Sequence, residues 1–372
     1  MTVNPLVRLG ELGQSPWFDY ITRELLQTGE LARLIAQDGL RGMTTNPTIF
    51  EKAVAGSDRY DADIRALADS GLTPAEIFET LAVADVRQAC DLFLPLYNTC
   101  EGRDGFVSIE VSPELARDTE GTVREARRLW EAVDRPNVMI KIPGTAEGLA
   151  AITRCLVRGI NVNITLLFGV ERYREVMEAF VTALEQRRAR REPINRLASV
   201  ASFFVSRVDT KLDPMLEKSG DAAARGLRGK AAVANARLAY ARCREVFGSP
   251  RFATLASRGA RIQRPLWAST STKDPAYPDT LYVDELIGPD TVNTMPPQTL
   301  AAFNDHGRVA VTIGDGLDAA RRLFPRLESL GIPAAVLIDQ LEPEGVASFS
   351  KSYETLLEAI ASRRRELMGS AR

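Results

Sequence analysis

Residues 138–144 read VMIKIPG. The two-residue period of a β-strand places Val138, Ile140 and Ile142 on one face and Met139, Lys141 and Pro143 on the other. Glycine and threonine follow at once, and a helical pattern starts at Ala146. A lone lysine thus sits near the C-terminal end of a short apolar strand that helices are expected to cover. Burying an ammonium group is costly. One explanation is chemical: desolvation lowers a lysine's pKa, and a neutral amine attacks a ketone to form a Schiff base. The other is an interior ion pair or a snorkelling side chain.

Outward from this stretch the same unit recurs, an apolar strand followed by a helical pattern. Strands are expected around Phe18, Met43, Ile109, Ile140, Ile164, Val200, Leu266 and Val292. In FVSIEVSP, Val107, Ile109 and Val111 face one way and Ser108, Glu110 and Ser112 the other; in NVNITLLF, Val162, Ile164 and Leu166 oppose Asn161, Asn163 and Thr165. Alternating strands and helices predict an α/β protein with a parallel sheet, and eight units predict a closed (β/α)8 TIM barrel. An open doubly wound sheet is the alternative, but no GxGxxG fingerprint follows an early strand. The whole chain, 1–372, reads as one such domain, with a helical insertion at about 211–257 and a C-terminal helix at about 344–367. Thr48 is expected to cap the helix after Asn46 and Pro47, and Pro113 with Glu114 to open a helix running to Asp134. RVAVTI and PAAVLID are strand-like by propensity, with loop or helix as the competing reading.

Composition narrows the function. The chain has 372 residues, 45% hydrophobic and 26% charged, with a net charge of −2. Its two basic runs, 187–191 and 363–365, read as solvated helix faces, so nucleic acid is not an expected partner. No apolar run reaches membrane-spanning length and the N-terminus lacks an apolar signal core, so no membrane association is expected and a cytoplasmic location is. Four scattered cysteines without CxxC spacing read as reduced thiols. There is one histidine, His306, in a polar segment. That excludes a zinc site of several histidines and leaves acid–base work to carboxylates, lysine or hydroxyls.

In a barrel, strand C-termini share one mouth. Asp19, Asn46, Glu110, Lys141, Asn163, Thr165 and Ser202 are all expected there. Singly each has a plain role as cap, turn residue or ion-pair partner; together they form a workable Schiff-base site in which carboxylates shuttle protons. A second group, Arg207 after the sixth strand and Ser269, Thr270 and Lys273 after the seventh, has the chemistry of a phosphate site, with a surface salt bridge as the competing reading.

The segments SPWFDYI, TTNPTIF, VSIEVSP, VMIKIPGT, NVNITLLF and SVASFFVSRVD, taken in order, resemble transaldolase over nearly the whole chain. The resemblance implies a class I aldolase barrel that moves a dihydroxyacetone unit between phosphosugars: sedoheptulose 7-phosphate and glyceraldehyde 3-phosphate become erythrose 4-phosphate and fructose 6-phosphate. It implies the non-oxidative pentose phosphate pathway, no metal or organic cofactor, phosphosugars as partners, and a homodimer or a monomer. By the same resemblance Lys141 forms the imine, Glu110 is the acid–base through a water held with Thr165, and Asp19 takes the C4 hydroxyl proton. Asn46, Asn163 and Ser202 hold substrate hydroxyls, and Arg207, Ser269 and Lys273 bind phosphate. In one departure, the loop after the seventh strand reads STSTK, a residue longer than in shorter family members, with lysine in place of arginine. A class I aldolase that releases dihydroxyacetone and a non-catalytic phosphosugar-binding barrel are the alternatives.

Overall fold

In the computed structural model, which describes residues 4–369, eight parallel strands close into a barrel in chain order. They are β1 (Gln14–Asp19), β2 (Gly42–Thr44), β3 (Phe106–Glu110), β4 (Val138–Pro143), β5 (Val162–Leu167), β6 (Ser199–Phe204), β7 (Arg264–Ala268) and β8 (Thr291–Met295). All eight expected strands are present, and the pairing of β1 with β8 replaces the open-sheet alternative. The strands are buried on both faces, one by the surrounding helices and one by the barrel interior. Inside, the ring of Trp17 lies against Gly42, its partner in register on β2. A Cβ on Gly42 would come within 2.4 Å of that ring, so glycine is what lets the indole fill the interior.

The two strand-like segments of the tail do not join the sheet. Residues 308–313 are irregular and Ala334–Asp339 is a helix. A closed barrel has no free edge for a ninth strand, so β-propensity there finds no partner. Two helix starts also differ from expectation. Pro113–Leu115 is a single 3-10 turn, and the following helix begins at Thr119, where the Asp118 carboxylate accepts from the Gly121 amide at 2.9 Å. Asn46, not Thr48, caps Pro47–Ala55: its side-chain oxygen accepts from the Ile49 amide at 3.0 Å, while the Thr48 hydroxyl donates to Ser352. Pro5–Glu11 is a further helix, absent from the sequence reading although Asn4 and Pro5 carry its start signal.

The 211–257 region is helical, as Ser206–Lys218, Ala222–Arg225, Ala231–Phe247 and Pro250–Ala256. The C-terminal helix runs Leu341–Gly369 and lies across the mouth of the barrel. Gly345 permits this seat, since a Cβ there would meet Leu166 at 3.0 Å and the Arg207 guanidinium at 3.4 Å.

Beneath the insertion two carboxylates are buried together. Asp209 accepts from the Ala232 amide at 2.7 Å and from the Tyr282 hydroxyl at 2.9 Å; Asp213 accepts from the Gly229 amide at 3.1 Å and the Tyr277 hydroxyl at 2.7 Å. Burial pushes Asp209 up from 3.8 to about 7; the hydrogen bond from Ala232 opposes the rise and the charge of Asp213 adds to it. Between those values the folded state keeps a proton that the unfolded chain releases, so stability falls as pH rises through this window, by at most on the order of 4 kcal/mol. Asp209→Asn keeps an acceptor and has no proton to lose. Its melting temperature is expected to gain on wild type from pH 5 to pH 8; parallel pH profiles of the two proteins would contradict the assignment.

Candidate active site

Register brings the site together. Glu110 on β3 is paired with Lys141 on β4, which is paired in turn with Asn163 on β5. Lys141 Nζ donates to Glu110 Oε2 at 3.1 Å and to the Thr45 carbonyl at 3.0 Å. The two side chains are only 5% and 4% exposed, and Nζ lies 5.5 Å from the centre of the Phe349 ring. Burial raises the Glu110 pKa; the Lys141 charge and hydrogen bond oppose this and Asp19 adds to it. Burial also raises Asp19, against the Lys141 charge and a hydrogen bond from Thr44 Oγ1 at 2.6 Å. Two buried carboxyls whose pKa values are raised beside an amine are suited to exchange protons with it. Glu110 Oε1 and Thr165 Oγ1 are buried and bonded to no protein group, so each has an unused hydrogen-bonding site.

A cavity of about 510 Å³ opens over these groups. Its lining takes in Asp19, Asn46, Lys141, Thr165, Ser202, Arg207, Ser269 and Lys273. Asn163 and Glu110 do not line it, and Glu110 lines a narrower pocket beside it with Asn46 and Ser112. The Asn163 amide lies one layer below, donating to Ser108 Oγ at 3.0 Å and accepting from Ser202 Oγ at 2.7 Å, so it positions Ser202. Asn46 spends its oxygen on the helix cap and has its NH2 group free for the cavity. The expected alternation of β5 fails after Thr165: the register with β6 shifts between Ile164 and Leu167, and Leu166 has a φ of 58°. A β-bulge of this kind, with a branched residue in the left-handed region, marks strain held at a site by its surroundings.

The outer part of the cavity is cationic. Arg207, Lys273 and Lys52 line it, and among the described residues none of the three has an ion-pair partner. Arg207 lies over the Phe204 ring at 5.3 Å, and burial lowers its pKa. Lys273 is lowered by burial, then by Arg207 and Lys52, with Asp19 opposing. Three mutually repelling cations at one end of a sugar-sized cavity are the complement of a phosphate. The lysine of the longer STSTK loop thus lines the same cavity as Arg207. Ser269, also at the rim, has a φ of 56° and shares a hydrogen bond of 2.9 Å with Ser206. Thr270 points away from the cavity, bonded to Asn293 at 3.1 Å.

The structure adds residues that sequence reading missed. Thr44 bridges Asp19 and Thr294, whose hydroxyl lies 2.7 Å from its own. It stands inside the TTNP motif, where it could have been picked out. Lys52 and Phe349 carry no local signal: one is an ordinary helix lysine, the other an apolar position near the end of the chain. His306 is exposed at the end of Pro297–His306, between Asp279 at 2.9 Å and Asp305 at 3.0 Å, as expected of a surface residue. Among the described residues no group of three or more His, Cys, Asp or Glu side chains is arranged to hold a metal, and no helix is long and apolar enough to cross a membrane.

Fold and site together define a (β/α)8-barrel enzyme whose mouth pairs a buried lysine with carboxyl groups. Residues 16–360 match the family Transaldolase/Fructose-6-phosphate aldolase, and the chain belongs to it. It is 52% identical over 361 residues to a transaldolase of Thermobifida fusca, covering 97% of this chain and 98% of that one. It is 50% identical to a transaldolase of Mycolicibacterium smegmatis, covering 96% and 97%, and 44% identical to one of Trichodesmium erythraeum, covering 99% of each.

The hydrogen bond from Thr44 is one of the forces that hold the Asp19 pKa down. Thr44→Val is therefore expected to raise that pKa and move the acidic limb of the pH–rate profile to higher pH. An unchanged limb would separate Asp19 from the rate.

Proposed function

We propose that the protein is a transaldolase that transfers a dihydroxyacetone unit between phosphosugars through a Schiff base on Lys141, in the cytoplasmic non-oxidative pentose phosphate pathway. The observation that carries this reading is the buried Lys141–Glu110 pair, with Lys141 in the wall of a cavity of sugar-phosphate size whose outer part is lined by cations without ion-pair partners among the described residues. In this reading Arg207, Lys273 and Lys52 take the phosphate and so set the C2 carbonyl at Nζ. Lys141 passes a proton to Glu110, the neutral amine adds to the carbonyl, and the carbinolamine loses water with Glu110 returning the proton. Glu110 Oε1 and Thr165 Oγ1 are the groups open to hold that water. Asp19, oriented by Thr44, takes the C4 hydroxyl proton as the C3–C4 bond breaks, with the electron pair drawn into the iminium. An aldose phosphate leaves and an enamine stays on Lys141. A second aldose phosphate then accepts the enamine carbon, and hydrolysis frees the lengthened ketose. Asn46 and Ser202 face the substrate hydroxyls, Asn163 acts through Ser202, and Ser269 lies on the phosphate side. Every bond change is carried by the lysine and the carboxyls, so the reading calls for no cofactor.

The family name also covers an aldolase, which lets the three-carbon unit go. Phe349 favours transfer: its ring sits over Lys141, on a helix that closes the mouth, where it limits water at the enamine.

The test is product analysis with fructose 6-phosphate, with and without erythrose 4-phosphate. Glyceraldehyde 3-phosphate is expected to form in quantity only with the acceptor, alongside sedoheptulose 7-phosphate, and Lys141→Ala is expected to form none. Steady acceptor-independent release of dihydroxyacetone would make the protein an aldolase. Arg207→Ala is expected to raise KM for phosphorylated substrates roughly 10- to 100-fold, the scale of a lost charge-assisted contact. An equal loss with an unphosphorylated donor would contradict the phosphate role.

A further inference from the structure

A second cavity, of about 950 Å³, opens at the opposite end of the barrel from Lys141. It is built from the loops that lead into the strands, around Gly13, Arg41, residues 99–104 and residues 260–264. Its floor is the lowest layer of the barrel interior, Ser15, Phe106, Met139, Val200 and Arg264. Apolar side chains from the insertion, Phe247 and Phe252, form one wall.

The charge at this face is unbalanced. Arg264 is held in place: it donates to Ser15 Oγ at 2.7 Å and to Asp104 Oδ1 at 2.9 Å, and Arg41 lies 4.0 Å from the same carboxylate. Asp290, also at the rim, is paired with Arg244 at 3.3 Å. That leaves Arg103 and Arg261, which among the described residues have no ion-pair partner. The carboxylate felt by Arg261 is that of Glu101, while Arg103 repels it; burial and then Arg103 lower its pKa. Arg261 Nη1 is wholly buried and bonded to nothing. An anion in the cavity relieves the repulsion between the two arginines, neither of which has a carboxylate bonded to it among the described residues. The aromatic and aliphatic walls suit an apolar body attached to that anion.

We infer that the N-terminal face of the barrel is a binding site for a small organic phosphate with an apolar or aromatic part, held by Arg261 and Arg103 against the Phe247–Phe252 wall. A nucleoside diphosphate has this chemistry and this size. The site is independent of the reaction proposed for the Lys141 mouth, because no residue is shared between the two cavities.

Cys100 supplies a local reporter. It lines this cavity and is half-buried, while Cys90, Cys155 and Cys243 are buried. The rate of N-ethylmaleimide labelling at Cys100, read by peptide mass spectrometry on the full-length protein, is to be measured with ADP, with pyrophosphate and with adenosine. ADP is expected to slow labelling, about tenfold at ten times its dissociation constant. Pyrophosphate is expected to protect less and adenosine not at all. Arg261→Ala and Arg103→Ala are each expected to lose the protection while turnover stays at the wild-type level. Labelling unaffected by ADP, protection by adenosine equal to that by ADP, or protection that survives in both arginine variants would overturn the inference.

Discussion

The ion pair between Lys141 and Glu110 is the constraint on which the rest of the mouth depends. Two charges this deeply buried are stable only with good geometry, and removing one partner normally leaves the other uncompensated. The closed barrel supplies that geometry at the level of backbone register, because parallel pairing of β3 with β4 sets the two residues side by side. The Thr45 carbonyl, just after β2, is the ammonium's second acceptor. Burial raises the Glu110 pKa and the Lys141 charge opposes the rise, so the carboxyl's hold on its proton depends on the lysine beside it.

Around it the site is arranged in depth. The lowest layer is rigid and neutral: Ser108, Asn163 and Ser202 form one hydrogen-bonded chain across three strands. The middle layer holds the titratable groups, and the outer layer the cations. The C-terminal helix closes the top with an aromatic ring. Electrostatics run in one direction, since Lys141 lowers both carboxyl pKa values and Asp19 in turn opposes the fall at Lys273. A phosphate entering at the outer layer would neutralise cations whose repulsion the empty protein tolerates, which makes binding there a source of orientation for the reacting carbon.

Much of this was legible in the sequence. Strand alternation exposed all eight strands, because a buried strand with one inward polar residue has a period that helices do not imitate. It also exposed Asp19, Glu110, Lys141, Thr165 and Ser202 as inward groups at strand ends. What escaped was whatever depends on tertiary contact. The segment 308–313 has strand composition and no partner. Asn163 has the right face but lies outside the cavity lining, bonded to Ser108 and Ser202. Lys52 and Phe349 come to the site through the packing of their helices on the barrel, which no local period records. The bulge at Leu166, which lies beneath Gly345 of a helix far along the chain, has no local signal either.

The central claim is that Lys141 is the nucleophile, and borohydride trapping tests it most directly. The protein is to be incubated with fructose 6-phosphate, reduced, digested and mapped by mass spectrometry. A reduced three-carbon adduct on the peptide containing Lys141, absent from Lys141→Ala, is the result predicted. An adduct on a different lysine, or no adduct while the sugar phosphate still binds, would contradict the account.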